Sequence, residues 1–304
     1  MRIQRKRFAW RYVVIAPMLL LLNACGTPIG GNSTSSQPAV IKVVAAENFY
    51  GDIVKQLGGS NISVTSILSD PDADPHEYES SVQDGIAVTQ ARLVIENSSG
   101  YDTWMDKLLS AAPNASRVVL KAYAIAPIHL PDNPHIWYSF DDARAVARAI
   151  ASTLKQLSPS NAPVFEQNLQ AFEQSLQQLQ QKQNEIKNKY VNTPVGLTET
   201  IYLYQSTLEG LNVLTPFEFE KAIAEGNDPP ADTVITATNQ ISNKQIKVLI
   251  YNQQTVTPIT THLQNEAQAQ GIPIVPVSES MPAGKTYQSW MMDQLNALET
   301  ALGG

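Results

Sequence analysis

From Ile41 onward, short runs of β-branched and apolar residues alternate with longer stretches in which apolar residues recur every three or four positions. The short runs predict strands, and the periodic stretches predict amphipathic helices. The predicted strands cover residues 41–45, 62–68, 92–96, 117–120, 195–197, 213–214, 247–251 and 272–277. Strands that alternate with helices form parallel βαβ units, so the pattern predicts an α/β fold of parallel sheets flanked by helices.

The most regular periodic stretch is a long polar segment of about 28 residues that follows Pro163. Its apolar stripe consists of Phe165, Leu169, Phe172, Leu176, Leu179, Ile186 and Tyr190. Gln183 interrupts the stripe, which therefore falls short of four clean heptads. A coiled-coil dimerisation helix is one interpretation. We favour a helix of roughly 40 Å that lies along the surface of its own protein.

The other predicted helices are shorter and separate the strands. They cover residues 49–57, 82–91, 101–111, 141–157, 203–208, 260–270 and 286–302. Residues 222–232 contain one Gly and two Pro and are interpreted as a loop. The pattern therefore predicts two α/β lobes, at 41–158 and 192–304, joined by one long connecting helix at 159–191.

The first 24 residues have the pattern of an export signal. Five cations and no acid occupy the first eleven residues, and an apolar run of about ten residues follows, too short to cross a bilayer as a helix. The run ends at a Leu-Asn-Ala-Cys-Gly sequence that resembles a bacterial lipobox. Cys25 is the only cysteine, so it has no partner for an internal disulfide. We predict a lipoprotein signal peptide at 1–24 and lipidation of Cys25; an ordinary signal peptide with an incidental cysteine is the alternative.

Residues 25–40 are mostly Gly, Ser, Thr, Pro, Asn and Gln, which predicts a flexible tether between the anchor and the lobes. The whole chain has a net charge of −7. Without the five cations of the signal, 16 basic side chains face 28 acidic ones, a net charge of −12. Such a surface repels phosphate backbones, which argues against a nucleic-acid binder.

Four separate stretches each offer one side chain that can bind a metal ion. His76 and His135 each follow a Pro, whereas Glu199 and Glu279 each follow a predicted strand. Ligand sites in open α/β sheets lie beyond the carboxyl ends of strands, and each lobe supplies two candidates, so the cleft between the lobes is the predicted meeting place. Two imidazoles and two carboxylates nearly complete the coordination of a divalent transition-metal ion. Such a set suits capture and transport better than catalysis.

Two nearby residues are assigned supporting roles. Trp137 is expected to pack over the site, and Asn252, directly after a predicted strand, to support a ligand by hydrogen bonding. The remaining imidazoles, His129 and His262, are predicted to lie at the surface or in ordinary packing.

These stretches resemble the motifs of the metal-specific solute-binding proteins of bacterial ABC importers, the zinc and manganese type. The Pro-His-Glu-Tyr-Glu run at 75–79 and the Pro-His-x-Trp run at 134–137 match that family's first two motifs. The third motif matches Glu199 with Tyr204 and Gly210-Leu211, and the fourth matches Glu279 with Gly284, Thr286-Tyr287 and Trp290. The resemblance extends from about residue 41 to residue 302.

The resemblance implies a carrier, not an enzyme, with His76, His135, Glu199 and Glu279 as metal ligands. Its expected partners are a membrane permease and a cytoplasmic ATPase on other chains, since no Walker-type Gly-rich loop occurs here. The expected location is extracytoplasmic, lipid-anchored through Cys25, and a monomer is expected. Protonation of either His should weaken metal binding as the pH falls toward about 6.

The chain departs from both branches of that family. Zinc-specific members typically have His at the third ligand and a His-rich acidic loop between the first two motifs. Manganese-type members have Glu third and Asp fourth, whereas this chain has Glu at both positions. Mn²⁺ and Zn²⁺ therefore both stand as predicted cargo, with Fe²⁺ as a third candidate. A metal-dependent hydrolase with an open coordination position and a metal-stabilised surface adhesin are the alternative functions.

Overall fold

The computed structural model describes residues 40–71, 73 and 78–303. The predicted signal peptide, the lipidation site at Cys25 and nearly all of the predicted tether lie outside the described residues. His76 lies outside them as well. Within the described residues, no helix is long and apolar enough to pass through a membrane.

Two four-stranded sheets form the framework, and every strand pair in them is parallel. The first sheet contains β1 (Ile41–Glu47), β2 (Ile62–Leu68), β3 (Leu93–Glu96) and β4 (Val118–Lys121), in the order β2-β1-β3-β4. The second contains β5 (Pro194–Leu197), β6 (Asn212–Val213), β7 (Val248–Asn252) and β8 (Ile274–Val277), in the order β6-β5-β7-β8. The two sheets thus share one topology, and the predicted α/β class is confirmed.

Eleven α-helices of the described residues connect and cover the strands. They are α1 (Asn48–Gly58), α2 (Val82–Gln90), α3 (Thr103–Ala111), α4 (Ala122–Ile125), α5 (Phe140–Leu157), α6 (Ala162–Tyr190), α7 (Leu203–Glu209), α8 (Phe217–Ala224), α9 (Ala231–Ser242), α10 (Pro258–Ala269) and α11 (Tyr287–Leu302). The prediction of a loop at 222–232 is wrong at both ends, because α8 extends to Ala224 and α9 begins at Ala231. Pro230 occupies the cap position of α9, where its missing N–H has no intrahelical partner to lose.

The long helix α6 has 29 residues and packs against α1, α5 and α11. All but one of the predicted stripe residues are buried: Phe165, Leu169, Phe172, Leu176, Leu179 and Ile186. Gln183, the interruption in the stripe, is buried too, and its Nε2 donates to Oε1 of Gln205 at 2.6 Å. The stripe therefore faces the protein's own core, as the favoured interpretation predicted, and the interruption is a polar contact inside it.

One hydrophobic core extends through both lobes. It includes Val43 of β1, Ile250 of β7 and Leu176 of α6. At the N-terminus of α1, Asn48 exchanges two hydrogen bonds with the backbone of Met281, at 2.8 and 2.9 Å. Separation of the lobes would expose this apolar surface and break these bonds, so the two sheets are held in a fixed relation.

A buried acid fixes the linker that leads from α4 to α5. Asp142, in the first turn of α5, accepts a hydrogen bond from the backbone N–H of Ile128 at 2.9 Å. Its second oxygen, Oδ2, has no hydrogen-bond partner among the described residues. Burial raises the pKa of Asp142 to about 6 because the charged form is poorly solvated, although the Ile128 N–H opposes the shift.

Truncation of the α6 stripe should destabilise both lobes. Leu176→Ala removes a fully buried side chain from the shared core and is expected to lower the free energy of unfolding by roughly 2–5 kcal/mol. Urea unfolding monitored by circular dichroism measures this loss. Gln177→Ala, at the exposed neighbouring position, is the matched control and should change stability little. Equal losses for both variants would contradict the packing described for α6.

Asp142 should make stability depend on pH. An unfolded Asp releases its proton near pH 4, whereas folded Asp142 keeps it to about pH 6, so folding takes up a proton between these values. The stability supplied by this proton is lost as the pH rises through about 6. Asp142→Asn removes the buried charge and keeps an acceptor for Ile128, so its melting temperature should exceed that of the wild type at pH 8, with the difference shrinking toward pH 4.

Asp141→Asn is the control for this pH dependence, because Asp141 is exposed and pairs with Arg144. It should not raise the melting temperature at either pH. A melting temperature for Asp142→Asn below that of the wild type at pH 8 would show that the Asp142 carboxylate stabilises the linker in its charged form.

Candidate metal centre

Three of the four side chains predicted as metal ligands meet at one point. One potential ligand atom from each of His135, Glu199 and Glu279 lies within 4.8 Å of the other two. All three side chains are buried, with exposed fractions of 0%, 1% and 0%. No other group of three or more His, Cys, Asp or Glu side chains in the described part of the chain has this geometry. The fourth predicted ligand, His76, lies outside that part.

The parallel sheets explain where the two carboxylates lie. Glu199 comes two residues after β5 and directly before a 3-10 turn at Thr200–Tyr202. Glu279 comes two residues after β8. Since β5 and β8 flank β7 in the same sheet, their carboxyl ends bring both acids to one edge.

His135 reaches this edge from the linker between α4 and α5. Its backbone N–H and its Nδ1 both lie within hydrogen-bond distance of Oδ1 of Asn133, at 3.0 and 2.9 Å. Because that oxygen only accepts, Nδ1 carries the proton and Nε2 is left as the nitrogen that faces the cluster, 3.8 Å from Oε2 of Glu279. The Nδ2 of Asn133 donates to the carbonyl of Thr200 at 2.8 Å, so one amide ties His135 to the residue beside Glu199.

Two aromatic rings enclose the imidazole of His135. The ring centroids of Trp137 and Tyr101 lie 5.2 and 5.9 Å from the His135 ring, both edge-on. Trp137 in turn stacks on Phe49 at 4.6 Å. The rings keep water from this side of the cluster and strengthen the electrostatic interactions within it. The packing role predicted for Trp137 is confirmed.

Both oxygens of Glu279 accept hydrogen bonds from neutral side chains. Asn252 Nδ2 donates to Oε1 at 2.7 Å, and the Tyr101 hydroxyl donates to Oε2 at 2.9 Å. Burial, and then the Glu279 carboxylate, raise the pKa of Tyr101 well above its usual value, so the phenol keeps its proton and remains a donor. The support predicted from Asn252 is therefore present, whereas Tyr101 was not anticipated.

A strained turn after β3 places Tyr101. Ser98, Ser99 and Gly100 all have positive φ, at 70°, 56° and 83°, a region that is costly for residues with a Cβ. The carboxylate of Asp102 holds the turn, because it accepts hydrogen bonds from the backbone N–H groups of Asn97 and Ser98 at 2.7 and 2.6 Å. No local sequence pattern marks Tyr101 as part of a site; its role arises from this turn.

The charges of the cluster suit a cation. Two ionised carboxylates buried this close together repel each other, and each also loses its hydration. A divalent cation between Glu199 and Glu279 would offset both costs, and a neutral imidazole would add a nitrogen ligand. The donor set of the described residues, one nitrogen and at least two oxygens, fits Mn²⁺, Fe²⁺ or Zn²⁺.

A cavity of about 410 Å³ adjoins the cluster between the two lobes. Tyr101, His135 and Thr200 are among the residues that line it. At its edge, Nζ of Lys221 in α8 forms an ion pair of 2.7 Å with Asp132 in the linker, so charged side chains of both lobes meet there. The cavity gives the cluster an approach from the solvent side.

The sequence of residues 43–301 matches the model of the protein family described as zinc-uptake complex component A, periplasmic. This match covers well over half of the chain. The chain belongs to this family.

Individual relatives cover less of the sequence. The chain is 30% identical over 180 residues to the manganese ABC transporter substrate-binding lipoprotein PsaA of Streptococcus pneumoniae, which covers 54% of this chain and 56% of that protein. It is 31% identical over 194 residues to the metal ABC transporter substrate-binding lipoprotein SsaB of Streptococcus sanguinis, with coverages of 58% and 60%. The alignments thus span between half and two thirds of these relatives.

Solved structures confirm the fold across nearly the whole described region. The periplasmic zinc-binding protein TroA of Treponema pallidum superposes with a TM-score of 0.74 at 20% identity, covering 86% of this chain and 99% of that one. FpvC of Pseudomonas aeruginosa, solved in complex with Mn²⁺, gives 0.72 at 20% identity, with coverages of 86% and 98%. The laminin-binding protein Lmb of Streptococcus agalactiae gives 0.72 at 22% identity, with coverages of 86% and 99%. At these identities the likeness concerns the fold alone.

Tyr101 should be required for full affinity at the cluster. Tyr101→Phe keeps the ring but removes the hydrogen bond to Glu279, and loss of such a supporting partner is expected to weaken binding of Mn²⁺ or Zn²⁺ about tenfold. Isothermal titration calorimetry measures the change. Tyr123→Phe is the control, because Tyr123 lines the same cavity and its ring packs on His129, away from Glu279. Wild-type affinity in Tyr101→Phe would show that Asn252 alone orients the carboxylate.

Proposed function

We propose that this protein captures a divalent transition-metal ion outside the cytoplasm and delivers it to the membrane permease of an ABC importer. The observation that carries the proposal is the convergence of His135, Glu199 and Glu279 in one buried cluster between two lobes. Membership of a family described as a periplasmic zinc-uptake component supports it. The names of the relatives, metal and manganese ABC transporter substrate-binding lipoproteins, point to the same role.

The proposed ligands are His76, His135, Glu199 and Glu279. His76 rests on its Pro-His-Glu-Tyr-Glu motif, because it lies outside the described residues. The carboxylates of Glu199 and Glu279 neutralise the double charge of the ion, so the ion can leave water, and the imidazoles complete the set without adding charge. Four protein ligands nearly fill the coordination sphere, which favours retention over chemistry at the ion.

Mn²⁺ and Zn²⁺ are the proposed cargo, with Fe²⁺ as a third candidate. The two carboxylates can each bind through two oxygens, and oxygen ligands suit Mn²⁺. The imidazole nitrogens suit Zn²⁺, and intrinsic affinity at a shared site is greater for Zn²⁺ than for Mn²⁺. Physiological selection between them would then depend on which ion is available.

Delivery requires other chains. We propose a membrane permease and a cytoplasmic ATPase as partners, a signal peptide at 1–24 and a lipid anchor on Cys25. We also propose a monomeric carrier, with lobes at 41–158 and 192–304 joined by the helix at 159–191.

We propose no enzymatic activity. A hydrolase would need a coordination position open to water and a nearby base, and four protein ligands would leave little room for such a position. Lmb is described as having both adhesin and metal-transporting activity, so an adhesin role would not by itself argue against transport.

Metal content provides the direct test. Protein purified without added metal should contain up to one ion per chain by elemental analysis. Added Mn²⁺ or Zn²⁺ at about a hundred times the dissociation constant should stabilise it by about 2.7 kcal/mol. Glu199→Gln and Glu279→Gln each remove one buried charge from the cluster and should weaken binding at least about tenfold.

Glu220→Gln is the matched control for these variants. Glu220 is a buried glutamate of the same lobe that lies outside the cluster, and burial raises its pKa well above the usual value. It should leave metal binding unchanged. A wild-type protein that contains no metal and whose melting temperature does not respond to Mn²⁺ or Zn²⁺ would remove the proposed function.

A further inference from the structure

The side chain of Gln254 uses its full hydrogen-bonding capacity beside the cluster. Its Oε1 accepts from the consecutive backbone N–H groups of Glu279 and Ser280, at 2.5 and 3.1 Å. Its Nε2 donates to the carbonyls of Pro71 and Ala73, at 2.9 and 3.0 Å. A glutamine amide has two acceptor positions and two donors, and all four are engaged here.

These four bonds join two parts of the molecule that are distant in sequence. Glu279 and Ser280 follow β8 in the second sheet, whereas Pro71 and Ala73 follow β2 in the first. Gln254 itself lies in the loop between β7 and α10. One partly buried side chain therefore connects the backbone of a cluster residue to the opposite lobe.

The last residue of β7 and the first two residues of the loop after it hold the Glu279 segment. Asn252 donates from its side chain to Oε1 of Glu279 at 2.7 Å. The backbone N–H of Gln253 donates to the carbonyl of Val277 at 3.0 Å. The backbone N–H of Gln254 donates to Oδ1 of Asn252 at 3.0 Å, which fixes the orientation of that amide toward the carboxylate. The carboxylate of Glu279, its backbone and the strand before it are thus all positioned by residues 252–254.

We propose that Gln254 is a positioning residue for metal binding: it fixes the peptide of Glu279 and couples it to the first lobe at Pro71 and Ala73. The inference rests on the proposed capture of a metal ion at the cluster. Release of the ion requires Glu279 to withdraw its carboxylate, and backbone held by one hydrogen bond on each side of the Glu279 Cα resists that movement. Partners beyond the ligands commonly change metal affinity by 10–100-fold when they are removed, about the size expected here.

Gln254→Met tests the inference with little change in side-chain volume. It removes all four hydrogen bonds and should accelerate the release of Zn²⁺ into excess chelator about tenfold, measured by stopped-flow fluorescence with a zinc-sensitive dye. Gln253→Met is the matched control, because Gln253 is exposed and makes its contact through the backbone. It should release Zn²⁺ at the wild-type rate.

A double-mutant cycle with Glu279→Asp separates positioning from general destabilisation. If Gln254 acts through Glu279, the effect of Gln254→Met on the release rate should shrink when the carboxylate is already displaced by one methylene. A loss of stability that merely loosens the fold would act equally in both backgrounds. Full additivity of the two substitutions would therefore overturn the proposed role of Gln254.

Gln254→Glu tests the coupling to the first lobe. The carboxylate can still accept from Glu279 and Ser280 but cannot donate to Pro71 and Ala73, so release should be faster than in the wild type although the added charge favours the cation. A wild-type rate in this variant would overturn the coupling. A wild-type rate in Gln254→Met would overturn the whole inference and leave metal capture standing, whereas a wild type that binds no Zn²⁺ would remove the proposed function itself.

Discussion

The main physical constraint on the cluster between the lobes is that two carboxylates are buried close to each other. At an effective dielectric constant of about 20, two unit charges 4 Å apart interact by about 4 kcal/mol, and burial adds the loss of hydration. The fold holds Glu199 and Glu279 in this arrangement because both follow strands of one sheet, with β7 between them. Backbone topology therefore brings together like charges that a cation can satisfy.

The supporting side chains orient the cluster without altering its charge. Asn133, Tyr101, Asn252 and Gln254 are all neutral, and each one contacts either a cluster side chain or the backbone beside it. An Arg or Lys in any of these places would neutralise a carboxylate and compete with the ion. Amide and phenol groups orient the carboxylates without neutralising them, so the negative charge of the cluster remains available to a cation.

The sequence predicted the strands and helices whose hydrophobic pattern is periodic. It missed residues whose role depends on a single contact in the folded chain. Strands with β-branched runs and the long amphipathic helix have periodic signals, and motif contexts marked His135, Glu199 and Glu279. Helix α9 was missed because its segment is rich in Thr and has few large apolar residues. Asn133 and Tyr101 carry no local signal, since their roles arise from a linker and a strained turn that only the folded chain brings to the site. His76 and the N-terminal segment remain predictions.

The hydrophobic core that continues from one sheet to the other, with α6 packed along it, has a consequence for cooperativity. Each lobe also has a smaller apolar cluster of its own, but the remaining buried residues of both lobes belong to the shared core. The molecule should therefore melt in a single transition, and neither half should persist as an independent folding unit. An ion bound at the cluster between the lobes would then stabilise every hydrogen bond that opens only by global unfolding. These include the hydrogen bonds of backbone amides at the far edge of each sheet.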